Sequence, residues 1–327
     1  MYDYGLSTLE QYGLTASVSM RIRGALFCRT EKGPVIIREF HGSEKKLAME
    51  QQLLRKLTEK GCRADTYLEN QEGSLVSRDK DQIPYTLQNW FDGRECDTGS
   101  EDDIRKSITA LAEIHKVMNL PGEPDYVQKD LREEFLRHNQ ELRKIRRFVR
   151  KKGPSNSFEK KFIQSVQWFL EKGEEASALL QETEYGSLRE AALKNGCICH
   201  GEYNQHNVLI LKDGVAVTNF RHWGFDIQMT DLYRFMRKLL EKYNWDTALG
   251  EEMLGIYNEE RHISREEWIN LKIRFLYPEK YWKLANHYYT GKKSVISGKS
   301  VEKLDTLISQ REIWGAFPEK CFRRYPF

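Results

Sequence analysis

HGEYNQHNVLIL, residues 200–211, sets a histidine, a carboxylate two positions on and an amide five beyond that in front of an apolar run. The three residues are His200, Glu202 and Asn207. The apolar run meets KDG and then VAVTNF, so an Asp-Gly turn lies between two apolar stretches and a hairpin is expected. That hairpin delivers Asn219 at its far end. Just upstream, CICH (197–200) alternates Cys197 and Cys199 in a short strand expected to be buried. A zinc site would want two close pairs of Cys or His, and this is the only such pair, so these thiols are read as core.

Upstream of the loop the chain begins with strands. Residues 14–40 read as strand, turn, strand: ASVSMRIRGALFCRT, EKG and PVIIREF, with Gly33 in the turn. SEKKLAMEQQLLRKLTEKG (43–61) spaces Leu47, Leu53, Leu54 and Leu57 along one face, opens on a capping serine and closes on Gly61, which predicts a helix. Short strands follow at SLVSR and PYTLQNW, so the first 90 residues read β, β, α, β, β. After FDGRE the character changes. Ile104, Ile108, Leu111, His115 and Met118 recur at spacings of four and three, the signature of one buried helix face. Further helices are expected at 127–151 and 158–181, joined by KKGPSNS, and again from Met229 on.

Composition bounds the possibilities. Hydrophobic residues make up 39% and aromatics 12% of the 327 residues, enough for a sizeable core and too many for a disordered chain. No apolar run is long enough for a membrane helix. The opening MYDYGLSTLEQYGL has no basic region followed by an apolar one, so no secretory signal is expected there. Six scattered cysteines do not form a disulfide framework. The net charge of +3 exerts no general pull towards nucleic acid or membrane. One local exception, RKIRRFVRKK (143–152), reads as a solvated helix face with Ile145, Phe148 and Val149 as its apolar stripe.

The loop and hairpin carry the chemistry. Phosphoryl transfer requires a cation on the phosphates, a carboxylate near the attacking hydroxyl, and an amide plus a carboxylate on the metal. Here Glu202 supplies the first carboxylate and Asn207 the amide, while Asn219 stands where the second carboxylate should be. Asp226, three residues beyond Trp223, is read as a helix cap or loop brace in preference to a replacement metal ligand. His206 is read as a loop hydrogen-bonding residue.

The order of elements and these motifs resemble the aminoglycoside phosphotransferase and choline kinase branch of the protein-kinase-like fold, whose loop usually reads HGDxxxxN before an IDF strand. More closely, the chain resembles the CotS family of spore coat proteins. That likeness runs from about Tyr12 to Phe322 through LQNWFDGRE, LAEIHK, HGEYNQHNVLI, FDIQMTDLYRFMRKLLEKYNW and YPEKYWKLANHYY. It implies an α+β, bilobal protein-kinase-like fold: a small β-sheet N-lobe with one helix over 1–91, and a large, mainly helical C-lobe over 92–327. By the same resemblance Arg38 stands where a phosphate-binding lysine is usual, with Glu50 as its carboxylate partner. Gln88, Asn89, Trp90 and Phe91 would form the hinge beside an adenine pocket. His200 and Asp231 would brace the loop, Glu202 would hold the catalytic carboxylate position, Asn207 would be the metal-binding amide, and Asn219 would replace the metal-binding aspartate.

Each departure has a physical weight. Arginine keeps the charge at position 38 but brings a planar fork bulkier than an ammonium. Glutamate at 202 adds one methylene, roughly 1.5 Å of reach, and misplacement on that scale costs about 100-fold in rate. Asparagine at 219 gives no charge to Mg²⁺, which relies on carboxylate and phosphate oxygens. SMRIRGALF also has one glycine where a glycine-rich phosphate loop is usual. The expectation is therefore a pseudokinase acting as a binding or scaffolding component of the spore coat, made in the mother-cell cytoplasm. Its implied partners are other coat proteins, without nucleic acid or membrane. ATP and Mg²⁺ are the implied cofactors, bound weakly or not at all, and no structural metal is expected. The alternatives are an active ATP-dependent phosphotransferase on a small-molecule or coat-protein hydroxyl, and a nucleotide-binding switch without turnover.

Overall fold

The computed structural model describes residues 4–291 and 298–325. The chain divides into two compact units, residues 1–121 with 198–224, and residues 122–197 with 225–327.

The first unit is built on a five-stranded antiparallel sheet. Its strands are β1 (Ala16–Ile22), β2 (Ala25–Thr30), β3 (Gly33–Glu39), β5 (Val76–Arg78) and β6 (Pro84–Asn89), in the order β1-β2-β3-β6-β5. The stretch expected to form one strand before EKG is in fact two. Arg23 and Gly24 both take positive φ, 45° and 77°, and turn the chain so that Ile22 faces Ala25. Positive φ at both central residues suits a two-residue hairpin because its twist matches that of the strands. Alternation then sorts the side chains: Leu26 and Cys28 on β2 join Val35 and Ile37 on β3 and Leu87 on β6 in one buried cluster, closed by Leu9, Tyr12 and Leu14.

Helix α1 (Glu44–Glu59) follows β3, and Ser43 starts it by accepting the Lys46 N–H at 3.1 Å. It buries Leu47, Leu53, Leu54 and Leu57, with Glu50 among them, and stops at Gly61, whose φ of 86° a helix cannot continue. A second sheet orders β4 (Arg63–Ala64), β10 (Gly214–Val217), β9 (Val208–Leu211) and β7 (Arg94–Glu95). The β9–β10 hairpin is the one the Asp-Gly turn predicts, with Leu211 opposite Gly214. Strand β4 lies parallel to β10. Helix α2 (Glu101–Val117) buries Ile104, Ile108, Leu111 and His115, the expected face. Strand β8 (Ile198–Cys199) leads into the 200–207 loop, and both its residues are buried.

The second unit is helical: α3 (Leu131–Lys152), α4 (Ser157–Glu182), α5 (Tyr185–Lys194), α6 (Met229–Lys242), α7 (Thr247–Glu260), α8 (Arg265–Leu276), α9 (Glu279–Thr290) and α10 (Gly298–Cys321). Asp130 and Asn156 cap α3 and α4 through backbone N–H groups of Arg132 and Glu159. Aromatic stacking fills the core, as where Phe169 lies 4.0 Å from Tyr281. The basic run 143–152 occupies the end of α3, where Val149 is buried; Phe148, expected in the apolar stripe, is instead 48% exposed. Among the described residues no helix is long and apolar enough to cross a membrane.

Candidate active site

Residues 200–207 form a tight loop held from below by His200. Its ring is fully buried, with Nδ1 accepting the Glu202 N–H at 3.2 Å and Nε2 3.0 Å from the Thr218 carbonyl. Acceptance at Nδ1 places the ring hydrogen on Nε2, so His200 ties the loop to the end of β10. Gly201 has φ 80°, and a Cβ there would lie 2.0 Å from the His222 carbonyl oxygen; only glycine permits that approach. Asp231 is buried in the first turn of α6, within the helical unit. Asp226 belongs to that unit too. Buried and with its pKa raised by that burial, it accepts the Thr230 hydroxyl at 2.9 Å near the start of α6.

Within the first unit Glu202, Asn207 and Asn219 converge. Asn207 Nδ2 donates to the Glu202 carbonyl at 2.8 Å, and the Asn207 carbonyl accepts the Thr218 N–H, which locks loop to hairpin. Asn219 sits at φ 68°, ψ 54°, a left-handed conformation that asparagine tolerates. Its Nδ2 lies 3.3 Å from Glu202 Oε2 and 3.3 Å from Asn207 Oδ1. The opposite amide orientation would set its oxygen against the carboxylate. Donor hydrogens thus point at Glu202 Oε2 and Asn207 Oδ1, and a neutral amide stands where the metal carboxylate would be needed. These residues do not fit a catalytic magnesium ion, which binds hard anionic oxygens.

Arg38 is equally committed. From β3 its Nη1 donates to Gln88 Oε1 at 2.7 Å and reaches Asp65 Oδ2 at 3.5 Å, with its guanidinium 5.5 Å from the Trp90 ring centre. Gln88 in turn donates to the Asp65 carbonyl at 2.6 Å. Fully buried Asp65 also accepts the Asn219 N–H on both carboxylate oxygens, at 3.1 and 2.9 Å. The carboxylate partner of Arg38 is therefore Asp65. Glu50, expected in that role, accepts the Tyr67 hydroxyl at 2.7 Å. Asn89 accepts the Thr66 hydroxyl at 2.8 Å, the Trp90 N–H donates to the Pro34 carbonyl at 2.9 Å, and Phe91 is half-buried.

Burial dominates the electrostatics here. It raises Glu50 to about 7 against the Tyr67 hydrogen bond, with the Asp65 charge pushing the same way and Lys46 and Arg38 pulling back. It raises Asp65 to about 6 even though Arg38 and the Asn219 N–H favour its charged form. Next to this network lies a cavity of about 460 Å³, with Arg38, Lys46, Glu50, Asn219 and His222 on its walls.

Two participants gave no sequence signal. Asp65 follows a two-residue strand that exists only by pairing with β10, so no local periodicity marks it. Arg23, at the β1–β2 turn, binds Glu95 Oε1 and Oε2 at 2.8 and 3.0 Å and reaches His206 Nδ1 at 2.8 Å. The turn that would be a phosphate loop is thus tied to the loop beside Asn207. The hydrogen-bonding use of His206 agrees with its reading from the sequence.

Comparison with known proteins places this geometry. Residues 7–317 match the family model described as "Spore coat putative kinase YutH". Spore coat protein S of Bacillus subtilis is 20% identical over 308 residues, covering 90% of this chain and 86% of that protein. Among solved structures, an aminoglycoside phosphotransferase from Alicyclobacillus acidocaldarius superposes with a TM-score of 0.86 at 18% identity, covering 97% of this chain and 94% of that one. Spectinomycin phosphotransferase APH(9)-Ia, in complex with ADP and spectinomycin, gives 0.66 at 12% identity, with 95% and 96% covered. The fold is the mixed α+β, protein-kinase-like one, with an N-terminal sheet and a mostly helical C-terminal part.

Proposed function

We propose, proceeding from the fact that this chain belongs to the spore coat YutH family, that it is a pseudokinase: a binding or scaffolding component of the coat that keeps kinase architecture without efficient phosphoryl transfer. One observation carries this reading. The Asn219 amide lies between Glu202 and Asn207 at 3.3 Å from each, putting hydrogen-bond donors where catalysis would need a cation. Arg38 supports it, since buried Asp65 offsets its charge and Gln88 accepts a hydrogen bond from the same nitrogen. Synthesis in the mother cell and assembly on the spore beside other coat proteins belong to this reading, and the family match supports it.

The test is turnover. Incubated with ATP, Mg²⁺ and a panel of amino-sugar, amino-alcohol and coat-protein acceptors, the protein is expected to release and transfer no phosphate above background. Robust Mg²⁺-dependent transfer that disappears in Glu202→Ala would overturn the proposal.

A second reading, nucleotide binding without turnover, is favoured by the 460 Å³ cavity beside Arg38 and Lys46. It lies within the usual size range of ligand pockets. A saturable thermal shift with ATP that Mg²⁺ does not enhance would select it over a scaffold with no nucleotide role.

A further inference from the structure

The helical unit holds a cavity that the loop chemistry leaves unused. Its volume is about 170 Å³, and its walls include Glu134 and His138 of α3, Arg234 of α6, Arg274 of α8, and Glu279 and Trp282 of α9. Two of these residues are buried with donors to spare. Arg274 is 5% exposed, and among the described residues its guanidinium makes one hydrogen bond, from Nε to Asn270 Oδ1 at 2.8 Å. A guanidinium carries five N–H donors, which leaves those on both terminal nitrogens for something else.

His138, also 5% exposed, has Nε2 2.9 Å from the Arg137 Nη2 donor. Nε2 therefore accepts, and the neutral ring carries its hydrogen on Nδ1, which is buried without a partner among the described residues. Burial and then the Arg137 charge hold the ring neutral, with its pKa lowered to about 3. Trp282 stacks on it with ring centres 3.3 Å apart and is itself anchored by donating from Nε1 to Glu141. The unsatisfied donor is thus fixed in place, and a buried donor is costly to leave unmade.

The charge around the cavity has the matching sign. Arg137, Arg234, Arg274 and Lys283 stand against Glu134 and Glu279. Glu279 is paired with Arg237 and Lys283 and Arg137 with Glu141, while burial raises the Glu134 pKa against the pull of Arg234, Arg137 and Arg274, so Arg234 and Arg274 carry the cationic excess.

We propose that this cavity is a binding site for a compact oxyanion, a carboxylate or phosphate group, received by the terminal nitrogens of Arg274 and by His138 Nδ1–H. The planar fork of an arginine pairs with two oxygens of either group. A volume below the usual range for drug-sized ligands limits the occupant to a few heavy atoms.

Calorimetric titration of the full chain with inorganic phosphate, and separately with acetate and pyruvate, tests this at ionic strength held constant with chloride. One class is expected to bind saturably at one site, and the class that does so identifies the occupant. His138→Phe keeps a flat ring for Trp282 but removes the donor, and Arg274→Gln removes the charged fork; each should weaken binding by about tenfold or more. If Arg274→Gln does not fold by circular dichroism, His138→Phe decides alone. Absence of saturation by every probe to about 10 mM, or undiminished affinity in the folded variants, would overturn the proposal.

Discussion

Asn219 donates from its side-chain nitrogen to Glu202 Oε2 across 3.3 Å, occupying with hydrogen atoms the ground a cation would otherwise hold. Asn219→Asp should therefore set two carboxylates against each other. Because Glu202 is 45% exposed, solvent screens the repulsion, and the loss should be about 1 kcal/mol at pH 8. Millimolar Mg²⁺ should restore the variant's melting temperature while leaving the parent unchanged. An equal magnesium shift in both proteins would show that the amide does not stand in for the ion.

The buried carboxylate of Asp65 holds two positions together, the Arg38 guanidinium and the Asn219 backbone N–H. Removing one partner of a buried pair strands the other, so Asp65→Ala should cost about 3–5 kcal/mol in urea unfolding. Asp65→Asn keeps one acceptor oxygen and should lose less. Equal losses would mean that charge matters and the hydrogen bond does not.

Glu50 makes the protein sensitive to pH, with a sign opposite to the usual carboxylate. Its folded pKa of about 7 lies above its ordinary value of 4.5, so over that interval the native state retains a proton that the unfolded chain has lost. Stability from this group is complete below about pH 4.5 and declines as pH rises through 7. The difference is on the order of 3 kcal/mol. Glu50→Gln should flatten the pH dependence of urea unfolding between pH 5 and 8 and gain most at pH 8. The slope of the same sign that survives should come from Asp65, raised to about 6, together with Asp226 and Glu134, which burial also raises.

Glycines separate local strain from propensity. Gly201→Ala drives a methyl group into the His222 carbonyl and should cost at least about 3 kcal/mol, loosening the Glu202 loop. Gly255, within α7, has no atom within 4 Å of its would-be Cβ, and alanine there should stabilise by about 0.5–1 kcal/mol. A chemical denaturation series on the two variants checks both signs.

Short-range patterns carried most of what could be read beforehand. Glu202, Asn207 and Asn219 sit on one loop and one hairpin, so their spacing alone brought them together. The helix at α1 announced itself by Ser43 and its leucines. One failure was local and the other long-range. The alternation of ASVSMRIR ends at Gly24, and the turn at Arg23–Gly24, both at positive φ, makes two strands where one was expected. Glu50 was the plausible partner for Arg38 by helix position, yet Asp65, 27 residues from Arg38, holds that place because β4 runs parallel to β10. Nothing local in RAD encodes such a pairing.

The bonds holding Arg38 also set a threshold for any phosphate that would approach it. Both bonds use Nη1, so a phosphate in the neighbouring cavity would meet the guanidinium through its other nitrogens while sharing its charge with buried Asp65. If that sharing costs about 3 kcal/mol, affinity is weakened by about a hundredfold. Occupancy then follows ligand abundance only at concentrations raised by the same factor.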